Sequence, residues 1–91
     1  MLVVHVLRDP SDAPPVVGFV VSKGLGGAVV RNRTKRRLRA LMRPLVPALP
    51  AGTRLVVRAN PPSASASSAA LARDLVAALR RAQALRPEPR P

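Results

Sequence analysis

Three short β-branched runs and two segments of helical periodicity, in the order strand, strand, helix, strand, helix, predict a small mixed α/β (α+β) domain. The length of 91 residues fits one such domain. A chain of this size buries only about two-thirds of its unfolded surface, so modest stability is expected. Residues 1–85 are expected to form a single domain, and residues 86–91 a disordered tail.

Residues 2–7 are apolar and largely β-branched, and the run stops at the turn chemistry of Arg8, Asp9 and Pro10, which predicts the first strand. After a polar, proline-bearing loop, residues 16–22 predict a second strand. The short connection favours an antiparallel hairpin between the two. Gly24, Gly26 and Gly27 then permit a tight change of direction.

The next segment is a helix whose apolar stripe is Thr34, Leu38, Leu41, Met42 and Leu45, spaced i, i+4, i+7, i+8 and i+11. Its opposite side carries Asn32, Arg36, Arg39 and Arg43, flanked by Arg33, Lys35 and Arg37. Pro44 and Pro47 end it near Arg43. Thr53–Ala59 is a third strand, entered through Gly52 and closed by Pro61 and Pro62. Alternation there puts Leu55, Val57 and Ala59 on one face and Arg54, Val56 and Arg58 on the other. Residues 63–68 form a small-residue linker that supplies helix caps, followed by a helix over about residues 69–83. Leu71, Leu75, Val76 and Leu79 form its buried face, and Arg80, Arg81 and Arg86 cluster where the helix dipole favours cations.

Sixteen Lys and Arg against four acids give a net charge of +12, which calls for a polyanionic partner, either nucleic acid or an anionic membrane. No apolar run approaches the roughly 20 residues of a spanning helix. Residues 1–7 lack the features of a secretory signal, so cytoplasm is the expected location. Zero cysteines and a single histidine offer neither disulfides nor a zinc site. Asp9, Asp12, Asp74 and Glu88 are too scattered for paired-carboxylate or two-metal chemistry. No catalytic residue is assigned.

Residues 31–43 hold seven Lys or Arg and no acid, whereas a solvated face normally mixes signs. An RNA or DNA backbone would offset their repulsion. Arg31, Asn32 and Arg33 are expected to open the helix, where free N–H groups and the positive dipole end add to phosphate binding. Arg31 also falls close to the apolar stripe, so its side chain has a second reading, fixing the turn against the core. Lys23 is read either as a phosphate contact or as an ordinary surface lysine. The glycines at 24–27 lack the sequence of a phosphate-cradling loop and are read as turn formers. Phe19, the only aromatic residue, belongs to the core face with Val17 and Val21, so widespread base stacking is excluded.

The order of Lys23, Gly26, Ala28, Val29, Arg31, Asn32, Arg33, Lys35, Arg36 and Arg39 resembles the signature of the bacterial ribonuclease P protein subunit. The resemblance implies an α/β two-layer sandwich related to a domain of a small-subunit ribosomal protein, with an unusual left-handed β-α-β crossover around this helix. It implies RNA binding by Lys23, Arg31, Asn32, Arg33, Lys35, Arg36, Arg37, Arg39 and Arg43. It also implies contact with the 5′ leader of precursor tRNA by His5, with Val20 and Ser22 on the same face. A lone strand histidine is otherwise packed or solvated. Family members begin with a basic segment and an aromatic-bearing helix before the first strand. Met1 falls where that strand starts, so a truncation or misassigned start is expected. An uncovered sheet face, an incomplete leader cleft, and weak stability, oligomerisation or impaired activity would follow.

The function expected from the resemblance is that of a ribonuclease P subunit, assembling with a catalytic RNA to remove 5′ leaders from precursor tRNA. Mg²⁺ would be bound mainly by the RNA. A non-catalytic RNA-binding module, such as a ribosomal or RNA-chaperone protein, is the alternative. A membrane-active helix ranks behind both, because the basic helix sits between strands.

Overall fold

A computed structural model describes residues 1–82; the expected tail at 86–91, Arg86 and the last predicted residue of the final helix, Gln83, lie outside them. The elements are β1 (Leu2–Arg8), β2 (Val16–Val21), α1 (Ala28–Met42), β3 (Thr53–Ala59) and α2 (Ser68–Arg81). Short 3₁₀ turns occur at Lys23–Leu25, Arg43–Ala48 and Pro61–Ala64. The latter two carry the prolines that stop the preceding element, since proline removes a donor but keeps a helical φ.

The sheet order is β1-β3-β2, and this overturns the expected β1–β2 hairpin. β3 lies between the two, antiparallel to β1 and parallel to β2. The reason lies in the loop at 9–15. Asp9 Oδ1 accepts from the Ser11 N–H, and Ser11 Oγ accepts from the Ala13 N–H, so the loop makes consecutive side-chain turns in place of a tight hairpin. It arches over the start of β3, where Gly52 O accepts from the Asp9 N–H at 2.9 Å and Gly52 N–H donates to Ala13 O at 2.8 Å. Gly52 holds a φ of 78°, which only glycine adopts readily. Its place beneath the loop spaces β1 and β2 far enough apart for a third strand.

One face of the sheet carries the core. Leu55, Val57 and Ala59 are buried as their alternation predicts, and both helices cover them. From α1 come Thr34, Leu38 and Met42; from α2 come Leu71, Leu75, Ala78 and Leu79, with Val76 half-buried. Leu41, Leu45, Val17, Phe19 and Val21 pack around this centre. Each fully buried leucine contributes roughly 1.5–3 kcal/mol relative to exposure, and seven of the core residues are leucines within a fraction of full burial. The Thr34 hydroxyl is buried without penalty because it donates to Val30 O at 3.0 Å. Ser67 caps α2 by accepting from the Ala70 N–H. Asp74 turns inward to accept from the Leu2 N–H at 2.8 Å, tying α2 to β1.

The other face of the sheet has no covering layer among the described residues. Val3, His5 and Leu7 of β1, Arg54, Val56 and Arg58 of β3, and Val16, Gly18 and Val20 of β2 all face outward and are exposed.

Candidate nucleic-acid interface

Burial of Thr34, Leu38 and Met42 fixes the rotation of α1, and the 100° step per residue then decides where each cation points. Val29, Asn32, Lys35, Arg36 and Arg39, spaced i, i+3, i+6, i+7 and i+10, line one shallow groove along the helix. Asn32, Arg33, Arg36, Arg39 and Arg43 are exposed, and Lys35 is half-buried at the margin. No carboxylate of the described residues pairs with any of them, so their positive potential is uncompensated.

α1 also overhangs the free edge of β2. Lys35, Arg39 and Arg43 face Val17, Gly18 and Phe19 across one groove. Arg31, Asn32 and Lys35 face Phe19, Val20 and Val21 across the adjoining one. Arg31 is half-buried there, with its Nε buried and without a hydrogen-bond partner among the described residues. The residue thus stands between the helix and β2, lining the groove with Phe19, Val20 and Val21.

The helix begins earlier than expected. Gly27 is the N-cap and Ala28 the first helical residue, and the Arg31 N–H already donates to Gly27 O at 3.0 Å. Arg31, Asn32 and Arg33 therefore do not contribute the free N–H groups of the helix opening; the first-turn groups of Ala28, Val29 and Val30 occupy that place. The start shifts because Gly26, with a φ of 139°, completes the reversal after the Lys23–Leu25 turn, and the apolar Ala28, Val29 and Val30 enter the helix at once.

The remaining cations part company with this row. Arg37 points to the opposite flank, where its guanidinium donates to Ala66 O at 2.6 Å and reaches Ser68 Oγ at 3.4 Å. It clamps α1 to the entry of α2, which makes its charge less available than that of Arg36 one residue earlier. Lys23 is exposed in the turn between β2 and α1. Ser22 follows β2 and spends its hydroxyl as a cap, accepting from the Gly24 N–H at 3.1 Å.

His5 and Val20 do share the open sheet face, as expected. His5 pairs in register with Val56 and Val20 with Arg58. The face also presents two cations that the sequence reading had not placed in the site. Arg54 lies between Leu7 and Val16, and Arg58 between Val3 and Val20, so the central strand carries a positive charge at either end of the His5, Val56 and Gly18 row. None of these outward residues is acidic. Knowledge that β3 is the central strand was the signal needed to find Arg54 and Arg58.

Asp9 and Asp74 are occupied by the backbone bonds described above. Among the described residues, no three His, Cys, Asp or Glu side chains gather as a metal site. No described helix is long and apolar enough to cross a membrane.

The family model described as ribonuclease P matches residues 1–83. The chain is 61% identical over 74 residues to the ribonuclease P protein component of Beutenbergia cavernae, covering 81% of this chain and 62% of that protein. It is 54% identical over 89 residues to the ribonuclease P protein component of Streptomyces avermitilis, covering 89% of this chain and 72% of that one. The chain thus spans less than two thirds of the Beutenbergia protein. Among solved structures, the Staphylococcus aureus RNase P protein matches with a TM-score of 0.81 at 26% identity, over 92% of this chain and 76% of that one.

Proposed function

Because the chain belongs to the ribonuclease P protein family, we propose that it is the protein subunit of ribonuclease P and assists the 5′ maturation of precursor tRNA. The row Asn32, Lys35, Arg36, Arg39 and Arg43 holds RNA phosphates, with Arg31, Arg33 and Lys23 adding charge around it. Arginine suits this role because its guanidinium fork bonds two phosphate oxygens at once. The open sheet face holds the single-stranded 5′ leader, through His5 and Val20 with Arg54 and Arg58 beside them. Catalysis belongs to the RNA subunit, with RNA-bound Mg²⁺ supplying the hydrolytic chemistry. The protein contributes charge neutralisation and leader positioning, and the proposed setting is the cytoplasm.

The observation that carries this reading is the juxtaposition of an acid-free basic helix with an acid-free sheet face. Both surfaces suit an extended polyanion, and a spare histidine lies among apolar side chains on the second. His5→Ala in the assembled holoenzyme should lower affinity for leader-bearing precursor by about fivefold, the loss of roughly one modest contact. Affinity for mature tRNA should be unchanged, and so should the melting temperature, since His5 is exposed. Equal losses for both RNAs would remove His5 from the leader site.

A further inference from the structure

Gly18 sits in the middle of β2 with no structural need to be glycine. Its φ is not positive, and a Cβ built on it would find nothing closer than Leu55 O at 3.9 Å. Glycine in a strand interior also weakens the strand, by adding freedom to the unfolded chain and leaving nothing to pack. A residue that the fold neither requires nor benefits from, at an exposed position in a strand, marks a place where something external approaches the backbone closely.

Its neighbours say what approaches. Val16 and Val20, the outward residues before and after it, stand 61% and 48% exposed and form ridges on either side. Gly18 is the gap between them. It pairs with Val56, beyond which lies His5, so the gap opens onto the sheet face between Arg54 and Arg58. On its other side β2 has no neighbouring strand among the described residues, and there Gly18 lines the groove whose far wall is Lys35, Arg39 and Arg43. The two basic surfaces are on opposite layers of the molecule, and the free edge of β2 separates them. Gly18 is the low point of that edge.

We propose that Gly18 is the pass over which a single-stranded leader crosses from the basic face of α1, around the edge of β2, onto the open sheet face. This rests on the reading of the sheet face as the leader site. The occupant is single-stranded nucleic acid because cations lie on both sides of the pass and, among the described residues, no acid lines either surface. A ribose or base can lie flat on the strand backbone only where no side chain stands. A valine at this position would join Val16 and Val20 into a continuous ridge and lift the strand off the sheet.

The test compares holoenzymes assembled from this chain and the catalytic RNA of the same genome, with precursor tRNAs carrying short and long leaders. Wild type should gain affinity as the leader lengthens. Gly18→Val should lose about tenfold of that gain, on the order of one base contact, and Gly18→Ala should lose less. Both variants should melt at or above the wild-type temperature, because each restores strand propensity in open space. Arg54→Ala with Arg58→Ala serves as the reference for the sheet face itself. If that pair loses the gain while Gly18→Val keeps it, the leader site stands and the pass is wrong. If both keep it, the leader reading fails as well. A loss in both Gly18 variants accompanied by a fall in melting temperature would assign the glycine to the fold and overturn the proposal.

Discussion

Replacing Lys35, Arg36 and Arg39 together by Ala is expected to weaken RNA binding by about two orders of magnitude at ~0.1 M salt. Each phosphate contact adds roughly 0.7–0.9 to the slope of log K against log salt, which is a factor of about 5–8 for a tenfold dilution from 1 M. Three such factors multiply to about 10²–10³. The fold should survive, because Arg36 and Arg39 are exposed, Lys35 is half-buried, and none of the three side chains has a hydrogen-bond or ion-pair partner among the described residues. A salt titration of catalytic-RNA binding should therefore show the slope reduced by about 2–3. An unchanged slope would mean that this helix is not the RNA face.

Gly52→Ala is expected to be the most damaging small substitution. A Cβ there would collide with the Asp9 carbonyl oxygen and come within 2.8 Å of the Ser11 carbonyl oxygen, both backbone atoms of the loop at 9–15. The φ of 78° adds strain of its own. Together these should cost about 3 kcal/mol or more. In a domain of this size that corresponds to a fall in melting temperature of roughly 10 °C or more. An unchanged melting temperature would show that the loop is not locked across the start of β3.

The most legible parts of the fold are those written in short-range pattern. Thr53–Ala59 alternates strictly between a glycine and two prolines, and the structure reproduces both its limits and its faces. The α1 stripe is equally plain, because a basic helix leaves few apolar residues to choose among. Strand pairing is a different matter. The seven residues at 9–15 look like an ordinary hairpin connection, and nothing local in β1 or β2 announces that a strand more than 30 residues later will enter between them. Parallel pairing of β2 with β3 came from the family resemblance alone. Arg54 and Arg58 went unassigned for the same reason, since on an edge strand they would be ordinary solvated cations. Periodicity puts Arg37 on the flank of the face that Arg36 occupies, and the resemblance counts both as RNA-binding; neither shows what Arg37 meets across the fold. One helical step turns it toward Ala66 and Ser68, a contact between residues about 30 positions apart.

The claim that this chain is the protein subunit of ribonuclease P is tested most directly by precursor tRNA cleavage at low Mg²⁺. The catalytic RNA of the same genome is assayed alone and with increasing amounts of this chain. RNA alone should cleave slowly there, because repulsion between its phosphates and the substrate's is poorly screened. Adding the chain should accelerate cleavage at the mature 5′ end, with a larger effect on leader-bearing substrates. No acceleration at protein concentrations that saturate the RNA would contradict the assignment.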